Sequence, residues 1–419
     1  MRTNFTAQQL SDPHLKAAES QLRACVHCGI CTATCPTYTL LGDELDGPRG
    51  RIQLIQHMLE TDTIPSAKVV THIDRCLSCL ACVSACPSGV NYPRLIDQAR
   101  AHIERKGART LVQRLFRWTL GAVIPRRTLL RAMLKMGRLV APMASLLPSK
   151  LRVLAEAAHK LPAPQQVSSV QVQTDTPLLS VALHVGCVQE VIAPQITAAA
   201  RRVLARLNIQ AVCVEGKGCC GALNHHLGQS QAAHRYASAL VADIVLHEKV
   251  QPFSAIATTA SGCGSVMRDY GFQLGNEHAG QVGARTVDIM ELISGTKLPP
   301  AVVPSGTRIV FHTPCSLQHG MKQSKAGPSV LRQLGFEVIE SRDTACCGSA
   351  GVYNVLEPTI ARELQMRKVA SLLALKPQFI ATGNIGCLAQ IAAQANVCVV
   401  HPIQLVDWAL GGARPSPSS

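Results

Sequence analysis

The chain has 419 residues and a formal net charge of +15, and 47% of its residues are hydrophobic but only 3% aromatic, so aliphatic side chains must fill its cores. No helix-turn-helix, zinc-finger or RNA-binding pattern accompanies the positive charge, and we expect no nucleic-acid partner. There is no run of 18 apolar residues and no apolar signal region, so we predict no membrane span and a cytoplasmic location. Because disulfides are disfavoured in a reducing compartment, the 18 cysteines are better explained as metal ligands.

The N-terminal segment, residues 1–24, has a helical pattern. Asp12 supplies a capping carboxylate and Pro13 is suited to the first helical position. A second helical pattern lies at about residues 49–60, where apolar side chains recur at helical spacing. This second helix joins two cysteine clusters within residues 25–100.

The two cysteine clusters share the spacing C-x2-C-x2-C-x3-C-P. In bacterial ferredoxins this spacing holds two [4Fe–4S] clusters, and the fourth cysteine of each run ligates the other cluster. The first predicted ligand set is therefore Cys25, Cys28, Cys31 and Cys86, and the second is Cys76, Cys79, Cys82 and Cys35. Paired zinc sites are the alternative, but a third evenly spaced cysteine and a Cys-Pro pair in both runs argue against zinc. Clusters of this type transfer single electrons and carry out no chemistry on an organic substrate.

Residues 108–177 are predicted to form a basic helical connector followed by a linker. Prolines divide the helical part into short pieces, and residues 162–177 are rich in Pro, Gln, Ser and Thr. Seven basic residues alternate there with apolar ones: Arg114, Arg117, Arg126, Arg127, Arg131, Lys135 and Arg138. The connector is suited to a partner subunit or to an anionic membrane surface, and a solvated helical segment is an equally good interpretation.

The C-terminal half contains an internal repeat of parallel α/β type. Short β-rich runs at 179–185, 209–214 and 255–259 alternate with helical stretches near 195–207 and 230–248. The cysteine pattern C, CCG, C occurs twice, separated by 128 residues from Cys187 to Cys315 and by 124 from Cys263 to Cys387. The fold class expected is thus α+β multidomain, with an α-helical ferredoxin-like [4Fe–4S] domain followed by two α/β CCG repeats.

The predicted domains are residues 1–107, the connector and linker at 108–177, the first CCG repeat at 178–296, the second at 305–412 and a disordered tail at 413–419.

The cysteines of the repeats lie where parallel α/β folds gather their sites, at the carboxyl ends of strands. They are Cys187, Cys219, Cys220 and Cys263 in the first repeat and Cys315, Cys346, Cys347 and Cys387 in the second. We predict a further Fe–S or metal site, or a redox-active thiol pair; inert buried thiols remain an alternative. Five histidines flank the same loops and are further candidates: His184, His225, His226, His312 and His319. Cys213 and Cys398 fall inside apolar strands and are interpreted as core residues.

Two ferredoxin runs followed by two CCG repeats resemble the iron–sulfur subunits of bacterial respiratory oxidoreductases. Within residues 25–52, the segment PTYTLLGDELDGPRGRI resembles the iron–sulfur subunit of glycolate oxidase. The resemblance implies two partner subunits with FAD domains, on which glycolate is oxidised to glyoxylate. It further implies that electrons leave through this chain toward a quinone or another acceptor, in the cytoplasm or peripherally on the inner membrane. The eight ferredoxin cysteines would be the cluster ligands, and this chain would carry no catalytic residue.

Three alternatives remain open. D-lactate could replace glycolate, because the pocket that discriminates them lies on another chain. The same layout occurs in the iron–sulfur subunit of anaerobic glycerol-3-phosphate dehydrogenase. The repeats are also similar to the CCG subunit of heterodisulfide reductase, which favours a thiol–disulfide reductase; that family has a further cysteine where this chain has Val266 and Gln390.

Overall fold

The computed structural model describes residues 1–160, 178–303 and 306–416, and within them the chain forms 22 α-helices and eight β-strands. The helices are α1 (Pro13–Ala24), α2 (Pro36–Leu41), α3 (Pro48–Thr61), α4 (Ala67–Asp74), α5 (Ala81–Ser84), α6 (Tyr92–Lys106), α7 (Leu111–Val123), α8 (Arg127–Val140), α9 (Ser149–Lys160), α10 (Gln189–Ile192), α11 (Gln195–Arg206), α12 (Ala222–His226), α13 (Ser230–Glu248), α14 (Ser261–Met267), α15 (Tyr270–Leu274), α16 (Glu277–Arg285), α17 (Ile289–Ser294), α18 (Ala326–Gln333), α19 (Tyr353–Leu356), α20 (Pro358–Leu373), α21 (Ile385–Ala392) and α22 (Pro402–Ala409). The strands are β1 (Leu179–His184), β2 (Ile209–Val214), β3 (Ala255–Thr258), β4 (Thr286–Asp288), β5 (Arg308–Phe311), β6 (Glu337–Glu340), β7 (Phe379–Ala381) and β8 (Cys398–Val400).

The N-terminal part is α-helical, and α1, α3 and α6 pack around a shared aliphatic core. The predicted start of α1 is correct: the Asp12 carboxylate accepts hydrogen bonds from the backbone N–H groups of His14 and Leu15. The helix is shorter than the predicted segment 1–24, because residues 1–8 adopt no helix. The predicted second helix is α3, and its periodic apolar residues are buried.

The connector forms α7, α8 and α9, which end near the prolines that the sequence marked as breaks. It is not a solvated segment along its whole length. Arg117 is buried against Asp74 and Glu104 of the N-terminal part, and Arg109 donates to the same two carboxylates. These ion pairs fix the start of α7 onto the N-terminal core.

Each CCG repeat is built on a four-stranded parallel sheet, with strand order β2-β1-β3-β4 in the first repeat and β6-β5-β7-β8 in the second. The first strand of each repeat, β1 or β5, is therefore an inner strand, and β1 matches the run predicted at 179–185. The apolar cores of the two repeats merge, because α11 of the first repeat packs against α22 of the second. Asp407 of α22 fixes this contact, since Arg202 and Arg206 each approach its carboxylate to 2.6 Å.

The predicted α+β multidomain fold class is confirmed. The predicted linker at 162–177 lies outside the described part of the chain. Of the predicted tail, residues 413–416 have no regular structure and residues 417–419 lie outside the described part. No helix of the described ranges combines the length and the apolar character needed to cross a bilayer.

Candidate iron–sulfur and thiol centres

The two ferredoxin loops have the same unusual backbone. In the first loop His27 and Gly29 adopt left-handed conformations, with φ of 58° and 80°, and in the second loop Ser78 and Leu80 do so, with φ of 49° and 63°. These positions are equivalent, since each pair lies two and four residues after the first cysteine of its run. A left-handed backbone is costly outside glycine, so its recurrence at three non-glycine positions indicates that the loops are shaped for a bound group.

The loops bring the thiols together in the two predicted sets. Burial raises the pKa of Cys31, and the charges of Cys25, Cys86 and Cys28 raise it further, so the first set lies within electrostatic range of one another. The pKa of Cys82 is raised well above its ordinary value by burial and by the other thiols of the second set. Cys35 and Cys86 thus lie with the opposite runs, as ferredoxin cross-ligation requires. Sulfur donors converging on these loops fit [4Fe–4S] clusters.

The two sets differ in their exposure to solvent. Cys28 of the first set is exposed, and its neighbours Val26 and Ile30 expose 67% and 53% of their surface. In the second set, burial raises the pKa of Cys79 well above its ordinary value. The first set is therefore the more exposed of the two, because it alone has an exposed thiol.

A buried arginine lies beside the second set, and sequence reasoning did not identify it. The guanidinium of Arg51 in α3 donates to the Cys35 sulfur at 3.8 Å and to the Thr37 hydroxyl at 3.1 Å, and it pairs with Asp46 at 3.5 Å. Burial on its own would lower the pKa of Arg51, but Cys76 and other neighbours raise it above its usual range, so the side chain is a permanent cation. The signal in the sequence was an arginine directly before Ile52 on the buried face of α3.

The thiols of the first CCG repeat converge around His184. Cys187 and Cys219 have their sulfurs 3.6 Å apart, and one ring nitrogen of His184 and the sulfurs of Cys220 and Cys263 all lie within 4.8 Å of one another. Hydrogen bonds from Cys219 and Cys263 hold the pKa of Cys220 well below its ordinary value, although burial alone would raise it.

The second repeat reproduces this arrangement. One ring nitrogen of His312 and the sulfurs of Cys347 and Cys387 lie within 4.8 Å of one another, and the two sulfurs are 3.1 Å apart. A hydrogen bond with Cys346, and then burial, raise the pKa of Cys315 well above its ordinary value. Cys263 and Cys387 lie in the first turns of α14 and α21, where loops were expected. A helical backbone holds the direction of each cysteine side chain more firmly than a loop does.

The second ferredoxin loop packs against the second CCG repeat. Leu77 lies in one apolar cluster with Cys346 and Tyr353, and Cys79 and Cys315 pack against the same cluster. The Tyr353 hydroxyl donates to the backbone carbonyl of Arg75 at 3.1 Å. The inner ferredoxin thiols and the thiols of the second repeat are therefore direct neighbours.

Asn384 connects the thiol loops of the two repeats. Its side-chain oxygen accepts from the Gly262 N–H at 3.3 Å, next to Cys263, and its amide donates to the Cys387 sulfur at 3.6 Å. The two CCG sites thus face each other across one side chain. A cavity of about 940 Å³ opens beside them, and apolar residues of α8 and α9 such as Leu134 and Leu154 form its far wall.

Two of the five predicted histidines are engaged elsewhere: His225 pairs with Asp97 at 3.0 Å, and His319 hydrogen-bonds Ser84 at 2.7 Å. His226 lines the cavity beside the thiols; burial lowers its pKa to about 4, and its Nδ1 has no hydrogen-bond partner in the described ranges. Cys213 and Cys398 lie on the edge strands β2 and β8 and pack against the merged core, away from the converging thiols.

Comparison with known proteins gives the same division of the chain. Residues 21–90 match the 4Fe-4S dicluster domain, and residues 181–268 and 309–392 match the cysteine-rich domain. The glycolate oxidase iron-sulfur subunit of Escherichia coli K12 is 39% identical over 98% of this chain and 99% of that protein. The probable glycolate oxidase iron-sulfur subunit of Bacillus subtilis 168 is 26% identical over 89% of each chain, and the lactate utilization protein A of Bacillus pumilus is 22% identical over 55% of this chain and 98% of its own length.

The similarity to the Escherichia coli protein extends over both ferredoxin runs and both CCG repeats, without a large unmatched segment in either chain. The order of domains in the structure agrees with that coverage. This chain therefore belongs to the family of glycolate oxidase iron–sulfur subunits.

Proposed function

We propose that this chain is the electron-transfer subunit of a flavin-dependent glycolate oxidase complex. Glycolate is oxidised to glyoxylate on two partner subunits with FAD domains, and D-lactate is a second candidate substrate of the same flavin site. Electrons then pass one at a time through this chain to a quinone or another acceptor. The names of the relatives support this proposal, since two are glycolate oxidase iron-sulfur subunits and one is a lactate utilization protein.

The observation that carries the proposal is an unbroken succession of sulfur sites. It begins at the exposed Cys28, continues through the half-buried Cys79, and reaches Cys315 and the second repeat. Asn384 then links the second repeat to Cys263 of the first. Such an arrangement is suited to single-electron transfer across the chain, with substrate chemistry left to a partner that holds an organic cofactor.

In this proposal the eight ferredoxin cysteines hold two [4Fe–4S] clusters, and the CCG cysteines hold a further iron–sulfur group. Ligation requires thiolates, so loading the sites would release protons from the buried thiols. Arg51 offsets part of the negative charge that four thiolates bring to the second ferredoxin site.

The acceptor end is proposed to lie at the membrane surface, on the inner face. More than half of the large exposed hydrophobic side chains of the described ranges lie between residues 111 and 151: Leu111, Val112, Leu115, Trp118, Leu129, Met136, Leu139, Val140, Met143, Leu146 and Leu151. Exposed basic residues such as Arg114, Arg131 and Lys135 are interspersed with them. This combination suits the interface of an anionic bilayer. The apolar cavity behind α8 and α9 would then admit a quinone to the thiol sites.

The test is reduction of the complete complex by its substrate. The chain is purified anaerobically with its flavin partner subunits, and glycolate, D-lactate or glycerol 3-phosphate is added while the visible absorbance of the iron–sulfur groups is followed. We expect glycolate to bleach this absorbance with FAD present and to have no effect when the flavin subunits are omitted.

Bleaching by glycerol 3-phosphate alone would overturn the proposal in favour of a glycerol-3-phosphate dehydrogenase subunit. A thiol–disulfide reductase would instead reduce a disulfide substrate, and it would lose that activity when Cys219 or Cys346 is replaced with Ala while the ferredoxin clusters remain reducible.

A further inference from the structure

His184 and His312 occupy equivalent positions in the two repeats. His184 is the last residue of β1 and His312 directly follows β5, so both lie at the carboxyl end of an inner strand. Each stands three residues before the first cysteine of its repeat, in the sequences HVGC and HTPC, and the two histidines are separated by the same 128 residues as Cys187 and Cys315. The imidazole is thus part of the repeated unit.

Both imidazoles are buried and lack ordinary partners. His184 is 1% exposed, and neither of its ring nitrogens has a hydrogen-bond partner in the described part of the chain; His312 is 3% exposed, and its Nε2 has none there. An unpaired polar atom in the interior is unfavourable, because it has lost its hydrogen bonds to water without replacing them. Both repeats thus share an unpartnered Nε2 beside converging sulfurs, which indicates that a bound group satisfies it.

The geometry identifies this bound group as a metal. In each repeat an imidazole nitrogen and two sulfurs lie within 4.8 Å of one another, and ligands at about 2.0–2.3 Å from one metal ion are separated by roughly 3–4.5 Å.

We propose that His184 and His312 are metal ligands, each of which binds iron of the iron–sulfur group held by the thiols of its repeat. The partners of His184 are Cys220 and Cys263, and those of His312 are Cys347 and Cys387. This proposal rests on the part of the proposed function that loads the CCG repeats. The two ferredoxin clusters, which the proposed function also requires, do not depend on it.

The first test is iron and sulfide analysis of the anaerobically purified complex. We expect more than the roughly eight irons of two [4Fe–4S] clusters in the wild-type chain, and a fall to about eight in the double variant His184→Ala/His312→Ala. The EPR signals of the ferredoxin clusters are expected to persist in that variant, which shows that the protein is folded. Replacing both histidines with Cys should restore the additional iron, since a thiolate is also a good ligand.

The second test identifies the ligand directly. In pulsed EPR of the wild-type complex, we expect a nitrogen hyperfine coupling that changes when histidine is labelled with ¹⁵N and disappears in both double variants. His401→Asn is the matched control, because His401 is 0% exposed, lies directly after β8 and caps α22, a role that Asn can fill. This variant should retain the additional iron and the coupling.

Three results would overturn the proposal. They are a wild-type chain with only about eight irons, zinc in place of the additional iron, or a double Ala variant that keeps its additional iron and its spectrum. In each case, bleaching of the ferredoxin clusters by glycolate would still support the proposed function. A failure of the histidine-ligand proposal can therefore be distinguished from a failure of the proposed function.

Discussion

At the scale of single residues, the segment that most resembles glycolate oxidase subunits has a structural explanation. Within it, Thr37, Asp46 and Arg51 form one buried network beside Cys35. Asp46 is 0% exposed and also pairs with His72 and Arg75. The segment therefore provides a fixed electrostatic environment for the second ferredoxin site as well as a backbone turn.

The charge of Arg51 should raise the reduction potential of that site, because reduction adds negative charge near a cation. Arg51→Met is expected to lower the potential of one cluster by on the order of 50 mV, measured by EPR-monitored redox titration. Arg51→Lys should stay closer to the wild-type value. Arg23→Met is the control, since this side chain is 68% exposed, and an equal shift there would contradict a local effect.

Gly50 is required for a close approach between α3 and the preceding turn. A Cβ at this position would lie 2.2 Å from the backbone oxygen of Glu44, and backbone cannot easily move away. Gly50→Ala is therefore expected to destabilise the protein by about 2 kcal/mol or more in anaerobic denaturant unfolding, with loss of iron. Gly280→Ala in α16 is the matched control: its Cβ would meet nothing within 4 Å, and it should be neutral or stabilising by up to about 1 kcal/mol.

At the scale of elements, the features that could be predicted from the sequence were those that depend on the spacing of nearby residues. The start of α1, the bounds of β2 and α13 and the in-register CCG repeat agree with the sequence patterns, because capping, periodicity and turn chemistry are local. The roles of His184 and His312 were weakly signalled, since a histidine beside a cysteine is common. The repeat spacing of 128 residues was the available signal, and only the structure adds that each ring has a buried Nε2 without a hydrogen-bond partner among the described residues.

Contacts between distant elements could not be predicted in this way. Asp97 on α6 pairs with His225 on α12 at 3.0 Å, and Arg94 on α6 forms a bidentate pair with Asp269, with N–O distances of 2.7 and 2.5 Å. These side chains are 128 and 175 residues apart in the sequence, and no spacing rule connects them.

The Asp97–His225 pair makes the contact between α6 and α12 pH-dependent. Burial alone would lower the pKa of His225, but the Asp97 carboxylate raises this pKa above its ordinary value of 6.5. Burial alone would raise the pKa of Asp97, but His225 lowers that pKa to about 2. The stabilisation is therefore present below pH 6.5 and is lost as pH rises through the raised pKa of His225. On the acid side it is complete above pH 3.8 and is lost toward pH 2.

We expect the melting temperatures of wild type and Asp97→Asn to differ most between about pH 4 and 6.5 and to converge at higher pH. Anaerobic thermal unfolding followed by circular dichroism measures this difference. Asp62→Asn serves as a control, because that carboxylate is 57% exposed and should give a small difference at every pH. If the difference in melting temperature between wild type and Asp97→Asn instead grows above pH 7, the Asp97–His225 pair is not the cause of the pH dependence.

At the scale of the whole molecule, exposed apolar side chains occur in two separate parts of the sequence. Val26 and Ile30 are exposed on either side of the exposed Cys28, and the second group lies within residues 111–151. Two such exposed apolar segments suit a protein that contacts more than one partner.

Membrane association can be tested with charge insertions. Leu139→Asp/Met143→Asp should weaken binding to anionic phospholipid vesicles in flotation assays by about tenfold or more, because both side chains are largely exposed, at 74% and 60%. Leu246→Asp is the matched control, since Leu246 is 61% exposed on α13 and should not affect binding. Equal flotation of both variants would argue against a membrane role for the connector.

The buried Lys368 gives the duplicated sites different properties. It lies in α20 with its ammonium 2.8 Å from Asp343 and close to His312, whereas the corresponding position in the first repeat, 22 residues after its first CCG cysteine, is Val241. Asp343 is 32% exposed and offsets only part of this fully buried positive charge, which favours the electron-rich form of its neighbour. We therefore expect the second repeat to be the easier one to reduce. An electron that enters the chain would then reside longest in the second repeat until the next one arrives. The two repeats would thus differ in function although they share one cysteine pattern.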